Sequence, residues 1–201
     1  PEIADGLACH SRNGDNGLSL DGLRELSDEA AERIARHGGW LSFNGLETLS
    51  PAAARALAGH SAGLSLNGLK TIDEQLAKAL ASHEGALELG GLRQIDAAVA
   101  RALSSHRNML ALPGVESLDT AAAVALARHD GEVVLSRLRR TTAEGLQALR
   151  GHPGVAMPEG VEVVGDSLGI PAALADHPAV VRSLRSAGTP RARATRRASS
   201  P

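Results

Sequence analysis

Apolar residues recur in a fixed frame along most of the chain. The segment Leu18-Ser19-Leu20-Asp21-Gly22-Leu23 opens a block that returns as Leu41-Ser42-Phe43-Asn44-Gly45-Leu46 and Leu64-Ser65-Leu66-Asn67-Gly68-Leu69. It returns again as Leu87-Glu88-Leu89-Gly90-Gly91-Leu92 and Leu110-Ala111-Leu112-Pro113-Gly114-Val115, and in weaker form as Val133-Val134-Leu135-Ser136-Arg137-Leu138. Each start lies 23 residues beyond the last. Within a block, two apolar positions flank a variable one, the alternation of a short strand with one buried face. A glycine turn follows, and a second apolar row enters at Leu26, Leu49, Ile72, Ile95 and Leu118.

The next column, Ser27, Ser50, Asp73, Asp96, Asp119 and Thr142, holds residues that cap helix N-termini by accepting from otherwise unpaired amides. Pro51 suits the first helical position, and Asp28, Glu29, Glu74 and Glu144 place negative charge at the positive helix end. Ala31, Ile34 and Ala35 recur as Ala54, Leu57 and Ala58 and as Ala77, Leu80 and Ala81, the three- and four-residue steps of one inward stripe. A helix of roughly ten residues per block is expected. Two residues past each terminal histidine lie Gly39, Ala62, Gly85, Asn108, Gly131 and Gly154, mostly types that accept a left-handed helix ending.

One strand and one helix cannot close a core alone, but stacked copies can. The frame therefore predicts an α/β solenoid with one short parallel strand plus one short helix per 23-residue repeat. An all-helical solenoid is the competing architecture, opposed by the glycine and N-cap columns that interrupt any continuous helix. Residues 18–155 read as six repeats. Residues 1–17 read as a partial or capping repeat, because Leu7-Ala8-Cys9-His10 echoes Leu126-Ala127-Arg128-His129 but is joined to the next strand by a longer link. Residues 156–184 read as a degenerate capping repeat: Gly160, Val161 and Val164 keep the register, while Leu174-Ala175-Asp176-His177 arrives two residues late. Pro158, at a strand position, speaks against continued pairing and for an edge.

The frame Leu-x-Leu-x-Gly-Leu-x-x-Leu-Ser/Asp, followed by an alanine-rich helix ending in Leu-Ala-x-His, resembles the 23-residue leucine-rich-like arrays of planctomycete-type bacterial proteins. The resemblance implies a leucine-rich-repeat-like solenoid, a scaffold whose exposed strand face binds another macromolecule, most often a protein. The chain departs from the commonest pattern in lacking the asparagine ladder after Leu-x-Leu, since Leu23, Leu46, Leu69 and Leu92 occupy that region.

On this reading the partner-binding face carries Ser19, Asp21 and Arg24, then Ser42, Asn44 and Glu47, then Ser65, Asn67 and Lys70, then Glu88, Gly90 and Arg93, and finally Ala111, Pro113 and Glu116. It begins polar and turns apolar toward Val134. With one Phe, one Trp and no Tyr in 201 residues, this face has no aromatic anchors and the core must be aliphatic. Phe43 is expected in the core and Trp40 in a packing role between helix and strand.

A second column, His37, His60, His83, His106, His129 and His152, predicts a structural histidine ladder. A metal array is disfavoured, because a straight row does not converge three or four ligands on one point. Each imidazole is expected to donate to a carbonyl near its own helix C-terminus. If the rings are packed neutral, acidification through the histidine range should loosen the array. No nucleophile elbow, phosphate loop or zinc-helix motif occurs, so neither catalysis nor a cofactor is predicted.

Charge changes the picture only at one end. The net charge is −2, from 21 basic and 23 acidic residues. Six of the basic residues, Arg182, Arg185, Arg191, Arg193, Arg196 and Arg197, follow one another with no acid among them. Residues 185–201 are thus read as a basic disordered tail, a solvated linker or a salt-sensitive grip on nucleic acid or an anionic membrane. The single cysteine, Cys9, can form no internal disulfide. No apolar run approaches the ~18 residues of a membrane span, and Pro1 is followed by no basic-then-apolar leader, so the chain is expected to be soluble as it stands or a segment of something longer. The rival to the binding scaffold is a structural spacer or assembly module within a larger protein.

Overall fold

A computed structural model describes residues 17–165 of the chain. Each Leu-x-Leu opening forms a two-residue strand: β1 (Leu18–Ser19), β2 (Leu41–Ser42), β3 (Leu64–Ser65), β4 (Leu87–Glu88), β5 (Leu110–Ala111) and β6 (Val133–Val134). Each N-cap column residue opens a helix: α1 (Asp28–Ile34), α2 (Pro51–Ala58), α3 (Glu74–Ala81), α4 (Ala97–Leu103), α5 (Thr120–Leu126) and α6 (Ala143–Gly151). Among the described residues β7 (Arg140–Thr141), β8 (Val155–Ala156) and β9 (Glu162–Val163) complete the set. A seven-stranded sheet runs β1-β2-β3-β4-β5-β6-β8, parallel throughout, and leucine faces leucine one repeat away at Leu18–Leu41, Leu41–Leu64, Leu64–Leu87 and Leu87–Leu110. This is the α/β solenoid-like repeat fold the periodicity predicts, and the all-helical alternative is excluded.

The helices are shorter than the stripe suggested, seven residues in α1, α4 and α5, eight in α2 and α3, and nine in α6. Isolated helices of that length are marginal in water. Two features hold them. All six predicted caps form: Ser27, Ser50, Asp73, Asp96, Asp119 and Thr142 accept from the amides of Ala30, Ala53, Leu76, Val99, Ala122 and Gly145 at 2.7–3.3 Å. Each helix also buries its stripe against the sheet and its two neighbours, with Ala31, Ala54, Leu57, Ala77, Leu80, Ala100, Leu103, Ala123 and Leu126 all fully buried. The strand leucines 41, 64, 87 and 110 and Phe43 close the same core from the other side.

The glycines past the histidines do not end helices in the left-handed region. Where a regular cap follows, the helices close in right-handed geometry at Ala35, Gly59, Ser82, Ser104 and Ala127. Glycine is needed there for closeness: a Cβ on Gly85 would sit 2.0 Å from the carbonyl oxygen of Ala62, and one on Gly131 would sit 2.5 Å from that of Asn108. The turn glycines obey the same constraint, since a Cβ on Gly114 would lie 2.1 Å from the Gly90 carbonyl oxygen. Trp40 plays its expected packing role by covering Gly63, whose own Cβ would fall 2.1 Å from the indole ring. Its ring nonetheless remains 37% exposed.

Among the described residues the main sheet ends at Ala156, before Pro158, as that proline suggested. The seventh strand begins at Val155, one residue before the predicted boundary, and pairs with β6 as Val133–Val155. His152-Pro153-Gly154-Val155 is one residue shorter than His129-Asp130-Gly131-Glu132-Val133. The shortened step of 22 residues persists past the next turn, where Gly160 takes φ +79°: Arg140 pairs with Glu162, and Thr141 with Val163 where the sequence register had placed Val164. β8 is the edge strand of the sheet, as a proline nearby suits, and its successor β9 pairs with β7 in a second, two-stranded ladder. Isolated bridges Gln94–Ser117 and Ser117–Arg140 extend that second line, which a one-strand-per-repeat reading omits. The proposed N-terminal cap and the basic tail lie outside the described residues, as does the degenerate repeat beyond residue 165.

Asp96→Ala is expected to cost about 1 kcal/mol through loss of one cap, read as a lower denaturation midpoint. Gly114→Ala should cost about 1–3 kcal/mol because backbone must move to admit the methyl. Gly151→Ala, with nothing within 4 Å of the added Cβ, should be neutral or slightly stabilising in the same urea titration.

Candidate functional site

The strand face is built from three columns, and the structure separates their roles. In the first turn position Asp21, Asn44 and Asn67 form a ladder. Asp21 Oδ1 accepts from the amide of Asn44 at 2.7 Å, Asn44 Oδ1 from the amide of Asn67 at 3.0 Å, and Asn67 Oδ1 from the amide of Gly90 at 2.5 Å. The side-chain ladder whose absence the sequence suggested is therefore present, two positions before the leucines of the turn. It ends at Gly90, because the next residue in the column is Pro113, which has no amide to donate. The column alternates further along, with Ser136 and then Pro158 at the turn after β8. Two devices thus serve one backbone position: an Asx oxygen accepts the amide of Asn44, Asn67 and Gly90, and proline removes it at Pro113 and Pro158.

The serine column is tied into the same seam. Ser42 Oγ donates to Asp21 Oδ1 at 2.6 Å, and Asn44 Nδ2 donates to Ser42 Oγ at 2.9 Å. Ser65 Oγ lies 2.8 Å from Asn44 Oδ1 and 3.1 Å from Glu88 Oε2, and receives Asn67 Nδ2 at 2.9 Å. The Ser42 hydroxyl, seconded by the Asn44 amide, holds the Asp21 carboxyl below the usual carboxylate range. Ser65 is not an exposed contact residue as expected; only 2% of its surface is accessible. Its hydroxyl is enclosed by the neighbouring Asn44, Asn67 and Glu88. Ser42, Asn67, Glu88 and Pro113 are partly buried, Ala111 is buried, and Ser19, Asp21 and Asn44 remain open to solvent.

The third column differs. Arg24, Glu47, Lys70, Arg93 and Arg139 are exposed and Glu116 is half-buried, so every repeat presents a charged residue at this place. Among the described residues the ion pairs are Arg33–Glu29 at 3.0 Å and Lys78–Glu74 at 2.6 Å, both on helices, and neither draws on this column. Arg139 was missed in the sequence although it lies one 23-residue step past Glu116. Arg137, where other repeats have the turn glycine, and Arg140 in β7 are exposed beside it.

On the opposite flank lies the histidine ladder. His37, His60, His83, His106 and His129 are buried, none more than 4% exposed, and His152 is half-buried. The rings of His60, His83, His106 and His129 stack at centroid separations of 6.1, 6.2 and 5.9 Å, with planes inclined by 13°, 3° and 16°. His129 Nε2 donates to the carbonyl of Asn108 at 2.8 Å, and His152 Nε2 to that of His129 at 2.6 Å, while His152 Nδ1 accepts from the Gly154 amide at 3.0 Å. The acceptor carbonyls belong to the preceding repeat and not, as expected, to the same helix end. Carbonyls of Gly39 and Ala62 stand correspondingly opposite His60 and His83, but neither ring completes the bond. Among the described residues, no group of three His, Cys, Asp or Glu converges as a metal site would require.

No protein-family model and no curated protein matches the chain. Asn67→Ala, which strands the Gly90 amide and leaves Ser65 and Glu88 short of a donor, is expected to destabilise by about 1–3 kcal/mol in a urea titration.

Proposed function

We propose that the chain is a non-catalytic, leucine-rich-like repeat scaffold that binds a macromolecular partner, a protein in the first instance, along its strand face. The observation that carries this reading is the column Arg24, Glu47, Lys70, Arg93, Glu116 and Arg139. It is charged in all six repeats, is used in no ion pair among the described residues, and carries both signs, four positive and two negative. The columns that build the fold repeat one chemistry; this one keeps charge while varying its sign. Strand pairing places successive members about 4.8 Å apart. A row of fixed spacing and mixed sign, mounted on a hydrogen-bonded seam, can select a partner by complementary charge.

The contact set is narrower than the sequence suggested. Arg24, Glu47, Lys70 and Arg93 project freely, whereas Ser42, Asn44, Ser65, Asn67 and Glu88 spend their polar atoms on one another. That self-satisfied seam is also what favours the second reading, a structural spacer or assembly module whose faces bind nothing specific. No helix of the described residues is long and apolar enough to cross a membrane. Binding of an anionic partner by the arginines of the tail is the third reading.

The test is capture with the intact chain against the triple variant Arg24→Glu, Lys70→Glu, Arg93→Glu. These side chains are exposed, so the variant should keep the parent's circular dichroism and its melting temperature within a few degrees. A binding scaffold predicts partners retained by the parent and lost by more than about tenfold in the variant, since charges at an interface are worth several kcal/mol when reversed. Equal retention by both chains would sink the strand-face reading; retention abolished by deleting residues 186–201 instead would favour the tail.

A further inference from the structure

The histidine ladder does something that packing alone does not ask of it. A buried spacer between repeats could be apolar, as the leucines beside it are, yet five titratable rings occupy one continuous column. Four of them, His60, His83, His106 and His129, stack about 6 Å apart, so each central ring's neighbours in the column are other rings that would carry the same charge. Burial favours the neutral form, and so does the mutual repulsion of imidazolium neighbours. In the middle of the column neither nitrogen of His60, His83 or His106 has a hydrogen-bond partner among the protein atoms, whereas His129 and His152 are anchored to carbonyls.

Backbone carbonyls near these rings, Gly39 at His60, Ala62 at His83 and Met109 at His106, would favour a positive ring, but burial outweighs them at all three. A shallow open cleft beside His60 is lined by Arg55, Ser82 and Glu84, and another beside His83 by Lys78, Glu84, Arg107 and Asn108. The charged groups that line these two clefts are three cations, Arg55, Lys78 and Arg107, and the single carboxylate of Glu84, with His37, His106 and His129 along the column. The clefts also give solvent protons a short path to the central rings.

We propose that the stacked histidines are an acid-sensitive latch: in mildly acidic solution the array opens at its middle repeats, between His60 and His106, while the anchored C-terminal end holds. The device is cooperative in a defined sense. Once one central ring takes a proton, its neighbours can follow only if the stack separates, so protonation and separation of the repeats are coupled.

The direction follows from the proton balance. In the unfolded chain a histidine titrates near 6.5. In the fold, desolvation first and then the neighbouring rings hold His83 down at about 4, and burial lowers His60 and His106 as well. The stabilisation is complete above pH of about 6.5 and is lost progressively as the pH falls toward about 4. His83 alone lowers the folding equilibrium constant about tenfold to thirtyfold between pH 7.5 and pH 5.

The experiment is a urea titration of the intact chain at pH 7.5, 6 and 5, paired with hydrogen exchange corrected for the intrinsic effect of pH on amide rates. The expected result is a falling midpoint, with protection lost first in repeats two to four and a clearly weaker pH dependence in His83→Gln. A flat midpoint over this range, protection lost first at the ends, or a variant as acid-sensitive as the parent would each overturn the proposal. Should His83→Gln fail to fold, NMR titration of the ring protons in the parent decides the matter: central rings still neutral at pH 5 support the latch, and titration near 6.5 in the folded chain refutes it.

Discussion

Every part of this structure depends on leucines that can be buried only between copies. A two-residue strand and a helix of seven to nine residues enclose nothing by themselves. Leu41, Leu64, Leu87 and Leu110 reach zero exposure because the repeats before and after them supply the walls. Full burial of such a side chain is worth about 1.5–3 kcal/mol, and it is available only if each copy adopts the same register as the last. That requirement explains the 23-residue step kept from β1 to β6, the alanines that let helices approach, and the glycines whose Cβ atoms would strike a neighbour's carbonyl.

Close stacking creates a polar problem along with an apolar solution. Each turn brings a backbone amide against the preceding copy, and an amide withdrawn from water without a partner is costly. Asp21, Asn44 and Asn67 accept that amide directly from Asn44, Asn67 and Gly90, and at Pro113 the donor itself is gone. The serines and Glu88 then satisfy what remains of the Asx side chains. On the far flank the histidines perform a related service at the C-terminal anchor, but in the central repeats their nitrogens are left without protein partners. The two flanks therefore differ in kind: one is a finished hydrogen-bond network, and the other is a stack whose stability depends on protonation.

This difference bears on function. A surface whose polar atoms are committed to one another is rigid but has little to offer a partner. The charged column beside it has the opposite character, projecting without partners from a frame that cannot shift. A scaffold for recognition and a plain spacer share the first property and part company at the second.

Much of this was legible in the sequence because the repeat is its own alignment. The leucine rows, the N-cap column and the histidine column each carry one chemistry at a constant step, so strand, helix start and ladder follow from local rules that stacking reinforces. Phe43 could be placed in the core on the same ground. Distances between copies could not be read this way. The sequence did not show that Asp21, Asn44 and Asn67 point along the sheet at the next amide, that Ser65 is closed off by its neighbours, or that His129 reaches the preceding repeat's carbonyl. Nor did it show that Gly85 and Gly131 are glycines for want of space, or that the step shortens to 22 residues at Val155 and stays so at Glu162. Periodicity reports which positions are equivalent, and equivalence is a property of one repeat. What a side chain touches is a property of two repeats at their packed separation, and only the tertiary structure sets that distance.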